Sequence, residues 1–165
     1  MRKHFFYFTV VVTFIFFLSH SYATAQTMFT QYFPCSFRIR LPSTWLVLPL
    51  DKEHHPDYCD YQVKSRDGAE IMRMHALTKG RFQYETLKES YEASLKEMPV
   101  DITYKSFHEN WFVISGIHKK TGHVIYWRSF MGEAFVIDLI LDYHPGRRKD
   151  IDDFIPEIMK SFYSN

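Results

Sequence analysis

The sequence is 165 residues long, which accommodates one domain of ordinary size and not two. Hydrophobic residues make up 46% of the chain and aromatic residues 18%, so an intrinsically disordered chain is excluded. Lysine and arginine number 20 against 19 aspartates and glutamates, and this balance excludes the basic surface that nucleic-acid binding requires. We therefore expect no nucleic acid among the partners of this protein.

The first 25 residues have the three parts of a secretory signal peptide. A basic start precedes an uncharged apolar run over residues 5–18, and a small-x-small cleavage signal ends at Ala25. A membrane span is the competing interpretation, but it needs about 20 apolar residues and this run is shorter. The pattern predicts a signal peptide over residues 1–25, cleaved after Ala25. Residues 26–165 would then form a single secreted or periplasmic domain without a stable membrane span.

Two cysteines, Cys35 and Cys59, lie in the predicted mature chain. An even number of cysteines in an exported protein favours a disulfide. Both lie on the apolar side of an alternating pattern, so we expect both to face the core. We predict a structural disulfide between them; the alternative is a pair of buried thiols that act as small hydrophobes.

The first part of the mature chain predicts three strands. Residues 33–41 alternate between apolar and polar side chains, as a half-buried strand does, and Pro42 ends that strand. Residues 58–65 and 71–77 flank an Asp-Gly turn. Two alternating runs on either side of such a turn predict a β-hairpin.

A helix is predicted after this hairpin. Thr86 and Glu89 form a capping box, in which the hydroxyl and the carboxylate bind free backbone amides at a helix start. Apolar side chains then recur at helical spacing, and Pro99 ends the helix. The apolar positions are Leu87, Tyr91, Leu95 and Met98.

The next segment predicts a meander of strands joined by tight turns. The strands cover residues 111–119, 123–131 and 134–143, with a weaker candidate at 102–107. In the last strand the polar series is interrupted by apolar residues, with Val136 and Ile140 beside Asp138 and Asp142. An antiparallel sheet with one wet face alternates cleanly, so we expect this sheet to be covered at least partly on both faces.

Residues 151–162 predict an amphipathic helix that Pro156 interrupts. A proline inside a helix costs about 3 kcal/mol, which leaves either a kink or a late start. We expect the late start, with Asp152 or Asp153 as the N-cap and Pro156 in the first turn, or a short irregular turn that leads into the helix. The chain as a whole predicts an α+β fold, with an antiparallel sheet of about six strands covered by helices.

Four short motifs recur in an order that resembles the PsbP superfamily. They are F-x-I-x-L-P-x-x-W over residues 37–45, F-V-I-S-G over 112–116, Tyr143-His144-Pro145, and Lys160-Ser161-Phe162. The resemblance covers about residues 30–163 and implies an α-β-α sandwich. It also implies a fold used mainly for binding and assembly rather than catalysis, by a photosystem II extrinsic protein, a Ran-binding import factor and many exported bacterial proteins. No metal-associated or Ran-binding residue of these relatives can be matched by position.

The densest cluster of chemically active side chains lies at residues 54–60. It offers the imidazoles of His54 and His55 and two carboxylates, which suit zinc or copper, but the spacing matches no recognised metal motif. A solvated loop is the simpler interpretation. His75, His108, His118 and His123 are scattered, and we expect them to be ordinary surface histidines.

Motifs for catalysis are equally weak. Ser115 lacks the first glycine of a nucleophile elbow and precedes no helix. Asp138 and Asp142 lie about 13 Å apart along a strand, which is too far for a glycosidase pair, so we expect them to pair with arginines such as Arg128, Arg38 or Arg40. We therefore assign no catalytic, cofactor-binding or metal-binding residue.

Two surface features have competing interpretations. Five aromatic residues of the strands, Trp111, Tyr126, Trp127, Phe130 and Tyr143, could line a ligand or partner surface, but core packing is the commoner role. The basic run 147–149 precedes three aspartates, Asp150, Asp152 and Asp153, and we expect local pairing at a helix start.

Together these features predict an exported, non-catalytic accessory protein that binds another protein or a cell-envelope component. One alternative is an inhibitor or immunity-type protein that acts against an envelope toxin. The other is a secreted enzyme with a site assembled from distant residues such as His54, Asp57 and His144.

Overall fold

The computed structural model describes residues 27–35, 37–50 and 57–164. The predicted signal peptide, the cleavage site after Ala25, and His54 and His55 lie outside the described residues.

Ten strands in the described residues form two antiparallel sheets. The strands are β1 (Met28–Phe33), β2 (Phe37–Pro42), β3 (Leu46–Pro49), β4 (Tyr58–Lys64), β5 (Glu70–Thr78), β6 (Val100–Phe107), β7 (Trp111–His118), β8 (Val124–Met131), β9 (Phe135–Tyr143) and β10 (Tyr163–Ser164). The large sheet has the order β3-β4-β5-β9-β8-β7-β6, and the small sheet has the order β1-β2-β10. The prediction of an antiparallel sheet is confirmed, with one strand more than the six expected because the short β3 pairs with β4 at its edge.

The described residues also contain three α-helices and three 3-10 turns. The helices are α1 (Leu87–Glu97), α2 (Arg148–Ile151) and α3 (Ile155–Ser161), and the 3-10 turns cover Lys79–Arg81, Pro145–Arg147 and Asp152–Phe154. No helix in the described part of the chain is long and apolar enough to span a membrane.

The predicted strand over residues 33–41 is wrong, because the chain folds back at residues 34–35. Phe33 ends β1 and lies directly opposite Phe37 at the start of β2, and their rings stack with centroids 4.4 Å apart. Pro34 has no backbone N–H, which favours a turn over continuation of a ladder. Alternate burial of Phe33, Cys35 and Phe37 persists through the turn, so alternation alone does not reveal the hairpin.

Two predicted hairpins have glycine at the turn, where the backbone has a positive φ. Gly68 (φ 82°) lies between β4 and β5, and Gly122 (φ 69°) lies between β7 and β8. Residues other than glycine rarely adopt this backbone conformation. These turns set the register that places residues of β4, β5, β7 and β8 side by side.

One face of the large sheet forms the main core. The inward series of β9, from Ile137 through Leu139 to Leu141, is fully buried there. The small sheet covers this face, and Ile39 and Leu41 of β2 belong to the same cluster. The C-terminal helices also pack here, through Ile151 and Ile158.

The opposite face is covered over β6, β7 and β8 by α1. The predicted capping box is present, since Thr86 accepts from the backbone N–H of Glu89 and the Glu89 carboxylate accepts from the backbone N–H of Thr86. Leu87 packs with Phe112 and Ile114 in a second, smaller core. The predicted cover on both faces of the sheet is therefore confirmed, and on this second face it is partial.

The last helix begins late, as Pro156 predicts. Pro156 lies in the first turn of α3, where no intrahelical amide is lost. The N-cap is Phe154 and not Asp152 or Asp153, because those aspartates belong to a 3-10 turn that leads into the helix. Arg128 of β8 fixes the other end by donating to the Met159 carbonyl at 2.5 Å.

Candidate binding cleft beneath helix α1

A row of polar side chains crosses the second face of the large sheet. Strand register places Asp60 of β4, His75 of β5, Asp138 of β9 and Ser129 of β8 directly opposite one another in that order. Side chains at directly opposite positions of neighbouring strands point to the same face of a sheet. The row therefore gathers two carboxylates, an imidazole and a hydroxyl on the face that α1 only partly covers.

Asp138 occupies the centre of this row. Its Oδ1 accepts a hydrogen bond from the indole Nε1–H of Trp127 at 2.9 Å. Burial raises the pKa of the Asp138 carboxyl, and the neighbouring Ser129 hydroxyl, the Trp127 indole and His75 partly oppose that rise. The Ser129 hydroxyl is buried and makes no hydrogen bond of normal geometry. Asp138 is thus a carboxyl group held among weak donors rather than beside a fixed cation.

A cleft of about 500 Å³ opens above Asp138. The sheet contributes Leu77, Trp127 and Asp138 to its walls, and the segment before α1 contributes the rings of Phe82 and Tyr84. Asp138 keeps part of its surface accessible although protein surrounds it on most sides, because it lines this cleft. The arrangement combines aromatic walls with a single carboxyl group in the floor, as small-molecule binding sites commonly do.

Small side chains on α1 leave the space for the cleft. Ser90 and Ser94 line it from one side of the helix, and Glu97 and the C-cap residue Met98 line it at the helix end. The Ser94 hydroxyl donates to the Ser90 carbonyl at 2.7 Å and so turns back onto its own helix. Leu87, Tyr91 and Leu95 lie on the part of the helix that packs on the sheet. The helix is therefore anchored on one side and open on the other.

Charged groups at the rim are mostly paired. Arg81 binds Asp57 at 2.9 Å, and both side chains are partly exposed. His75 contacts the Asp60 carboxylate through Nδ1. Glu97 lines the mouth. Arg81 is the one basic residue among the described residues that line the cleft, and it is paired with Asp57.

The row does not have the geometry of a catalytic triad. A nucleophilic serine must reach its histidine base directly, but Ser129 and His75 lie two strands apart, roughly 10 Å, with Asp138 between them. Ser129 is also fully buried. Across the described residues, no group of three or more His, Cys, Asp or Glu side chains is placed to hold a metal ion.

Two of the three residues of the predicted distant-site enzyme, Asp57 and His144, lie far apart in the described structure. Asp57 precedes β4 and pairs with Arg81, whereas His144 follows β9 and accepts from the backbone N–H of Gly146. The start of β4, next to Asp57, is level with Val136 of β9, because Tyr58 pairs with Leu77 and Leu77 pairs with Val136. His144 follows the far end of β9, which lies seven residues beyond Val136 and roughly 23 Å away. His54 lies outside the described residues.

The expected pairing of Asp138 and Asp142 with arginines is wrong. Asp142 binds the ring Nδ1 of His123 at 2.6 Å, and Asp138 binds Trp127. Arg128 lies on the other face of the sheet, with its guanidinium over the Trp111 ring at 4.9 Å. Side-chain alternation decides this outcome, because positions 128 and 129 of one strand point to opposite faces.

Other candidate residues have structural roles. The Ser115 hydroxyl donates to the Ile125 carbonyl at 2.9 Å across the β7–β8 pair. Arg147 of the basic run pairs with Asp67, 3.0 Å away, and not with the following aspartates. Hydrogen bonds from Ser65, from the Ala69 backbone and from Arg147 lower the pKa of Asp67 to about 2. These contacts join the β4–β5 turn to the C-terminal segment.

The aromatic residues of the strands do not form one surface. Trp127 lies on the face that α1 covers, whereas Tyr126, Phe130 and Tyr143 belong to the main core on the opposite face. The Tyr143 hydroxyl donates to Asp152 at 2.5 Å. Of the five, Trp127 alone lines the cleft, together with Phe82 and Tyr84, which the sequence did not single out. Their signal was an aromatic pair in a polar segment just before a capped helix.

A separate apolar groove of about 380 Å³ lies between β1 and β3. Tyr32 and Leu46 line it with 62% and 56% of their surface exposed. Apolar exposure of this kind is common at protein-binding surfaces.

The two cysteines meet where the small sheet approaches the large one. Cys35 lies in the β1–β2 turn and Cys59 in β4, with Cα atoms 6.2 Å apart and the sulfur atoms bonded. Both side chains are buried in the main core.

The two-sheet arrangement with helices on both faces defines a PsbP-like α+β fold. No protein-family model and no curated protein match the sequence. Among solved structures, the chain is similar to the solution structure of cyanobacterial PsbP (CyanoP) from Synechocystis sp. PCC 6803. That match has a TM-score of 0.52 with 9% sequence identity and covers 87% of this chain and 95% of that chain. At this identity the likeness establishes the fold, and it confirms the PsbP-type fold that the short motifs predicted.

Proposed function

We propose that the protein is an extracytoplasmic accessory protein that binds another protein or a cell-envelope component and does not catalyse a reaction. The observation that carries this proposal is the cleft beneath α1. Its aromatic walls and single carboxyl floor are suited to recognition. The same face separates its serine from its histidine, so the groups needed for nucleophilic attack do not touch.

Three further features support the proposal. The N-terminal sequence has the organisation of a signal peptide. A disulfide between Cys35 and Cys59 suits an oxidising compartment. The exposed apolar groove at Tyr32 and Leu46 offers a second surface for a macromolecular partner.

Export is tested by fractionating native host cells that produce the full chain and sequencing the N-terminus of the recovered protein. We expect a chain that begins at Gln26 in the extracytoplasmic fraction. Recovery of unprocessed protein in the cytoplasm would contradict the proposal.

Binding is tested by incubating the mature domain with an envelope extract and recording its mass by native mass spectrometry. We expect an adduct of one component per chain that is released unchanged on denaturation. Product formed beyond one equivalent per chain would instead show an enzyme.

The same experiment tests whether the cleft is the binding site, with the variant Ser94→Leu, whose larger side chain fills the cleft from α1. Thr121→Leu, at an exposed hairpin, is the matched control. We expect the first variant to lose the adduct and the second to retain it, with folding of both checked by circular dichroism. An adduct retained by a folded Ser94→Leu protein would place the binding site elsewhere.

A further inference from the structure

The cleft beneath α1 has the composition of a site for a positively charged ligand. Its floor holds one carboxyl group, and its walls present the faces or edges of Trp127, Phe82 and Tyr84. Cations bind favourably over aromatic rings, and more strongly where water is excluded. A carboxylate beside such rings adds direct charge attraction in surroundings of low dielectric constant.

Asp138 has no fixed cationic partner in the described structure, which leaves its charge to be balanced by a ligand. The Asp138 Oδ1 accepts a hydrogen bond from the neutral indole of Trp127. His75 lies opposite on β5 but contacts Asp60 instead. Arg81, the arginine at the rim, is bound to Asp57. An incoming cation would therefore meet an unneutralised acid and not displace a protein cation.

The remaining groups around the cleft favour the same charge. Glu97 of α1 lines the mouth and adds a second carboxylate. Leu77 and Met98 give the walls an apolar part that suits the carbon body of an amine. A simple anion would face two carboxylates, and a neutral ligand would gain nothing from the charge of either.

We propose that this cleft binds a primary ammonium group carried on an apolar stem, with the Asp138 carboxylate as its counter-ion and the rings of Trp127, Phe82 and Tyr84 around it. This inference rests on the proposed function, because it names the chemistry recognised by that same site. A free amine and a lysine side chain of a partner protein both supply this group.

Binding is measured by isothermal titration calorimetry on the mature domain with three probes of similar size. The probes are 2-phenylethylamine, the neutral 2-phenylethanol and the anionic 3-phenylpropanoate. We expect the amine to bind at least tenfold more tightly than either of the others at pH 7.5. Equal binding of the alcohol would overturn the ammonium assignment but leave a binding cleft, whereas chemical conversion of a probe would overturn the proposed function itself.

Asp138→Asn removes the charge while retaining an oxygen that can accept from Trp127. We expect this variant to lose at least tenfold in affinity for the amine, with its affinity for 2-phenylethanol unchanged. Asp142→Asn, on the same strand but exposed and bound to His123, is the matched control and keeps wild-type affinity. Unchanged amine binding by Asp138→Asn would overturn the proposal.

The pH dependence provides a second readout. The groups that face Asp138 are His75 on β5, Trp127 and Ser129 on β8, Glu97 on α1, and Arg81 and Tyr84 in the preceding segment. Since the ammonium stays charged below pH 8, affinity should fall as acid protonates Asp138, and this fall should persist in His75→Gln. A fall that disappears in His75→Gln would assign the pH effect to the imidazole and contradict the role of Asp138.

The two sources of the ammonium group are separated with blocked tripeptides. We expect Ala-Lys-Ala to bind and Ala-norleucine-Ala not to bind if the cleft takes a lysine side chain from a partner. Binding of 2-phenylethylamine alone would assign the site to free amines, and binding of neither the amine nor the lysine peptide would overturn the proposal.

Discussion

At the scale of single residues, Asp138 is the position where the proposed binding role and stability conflict. A carboxyl group with a raised pKa is held in the folded state in surroundings that disfavour its charge, whereas the unfolded chain hydrates that charge freely. The folded protein therefore loses stability at this residue as pH rises above the ordinary carboxyl range. Retention of such a group in a sheet is more typical of a binding site than of a structural core.

This conflict predicts that Asp138→Asn is more stable than the wild type at neutral pH. The folded-state pKa is raised, so the destabilisation is absent below the unfolded pKa and grows as pH rises towards the folded pKa. We expect the melting temperature of the variant to gain on that of the wild type between pH 4 and pH 7. Asp142→Asn serves as control, and an advantage that is the same at both pH values would contradict the prediction.

Gly116 is a residue at which the structure leaves no room for a side chain. A Cβ atom at this position in β7 would lie 2.2 Å from the Asp101 carbonyl oxygen and 2.7 Å from Val100 Cγ1. Because the first of these atoms belongs to the backbone of β6, the strand pair itself would have to shift.

Gly116→Ala should therefore lower the free energy of unfolding by about 1–3 kcal/mol, the range for overpacking a filled site. Gly80→Ala is the matched control, since a Cβ there meets no atom within 4 Å. Urea denaturation of both variants checks the prediction. Equal stability of the two would show that β6 and β7 adjust without cost.

At the scale of elements, the sequence predicts best where local chemistry decides the structure. The Thr86 capping box and the turn glycines Gly68 and Gly122 set their elements by local backbone hydrogen bonds and φ angles alone. The β1–β2 turn was missed because Phe33 and Phe37 stand four positions apart, which preserves the period of two. β3 was missed because its four residues carry no alternation, and its pairing with β4 is a tertiary contact.

The cleft escapes sequence analysis for a related reason. Asp138 is recognisable as a polar residue in an apolar strand, but its neighbours Phe82 and Tyr84 lie in a segment without periodicity. Only the register of β5, β9 and β8 brings His75, Asp138 and Ser129 into one row. The spacing of residues along the chain cannot reveal contacts between strands that are far apart in sequence.

The C-terminal helix α3 depends on one side chain from the sheet. The Arg128 guanidinium donates to the Met159 carbonyl and lies over the rings of Trp111 and Phe162, 4.9 and 5.9 Å from their centroids. A charged hydrogen bond of this kind contributes about 1.5–3 kcal/mol.

We expect Arg128→Met to lower the free energy of unfolding by about 2 kcal/mol and to speed amide hydrogen exchange in residues 155–161. The matched control is Arg40→Met, which removes an exposed ion pair between Arg40 of β2 and Glu157 of α3. This change should lower the free energy of unfolding by at most about 0.5 kcal/mol. Exchange in α3 that is unaffected by Arg128→Met would show that apolar packing alone holds the helix.

At the scale of the whole molecule, the disulfide joins the two sheets. Cys35 belongs to the small sheet's hairpin and Cys59 to the large sheet, and their sequence separation is 24. A bridge across a loop of this size restricts the unfolded chain and contributes about 3 kcal/mol. The two sheets should therefore separate more readily when it is absent.

We expect Cys35→Ala/Cys59→Ala, or reduction of the wild type, to lower the free energy of unfolding by about 3 kcal/mol. Denaturant titration with and without reductant measures this difference. Mass spectrometry after alkylation in denaturant supplies the control, because bridged cysteines react only after reduction. Alkylation of both cysteines without reduction would contradict the assignment of a disulfide in the isolated protein.

The small sheet also determines the order in which the chain can fold. The backbone N–H of Arg40 in β2 binds the Ser161 hydroxyl 121 positions away, and β2 pairs with β10 at residues 163–164. Contacts between such distant segments form slowly, because the chain entropy lost in closing the loop precedes the gain from pairing. A ribosome-bound chain cannot make them until residue 164 has emerged. The small sheet consequently remains incomplete until synthesis of the C-terminal segment is finished.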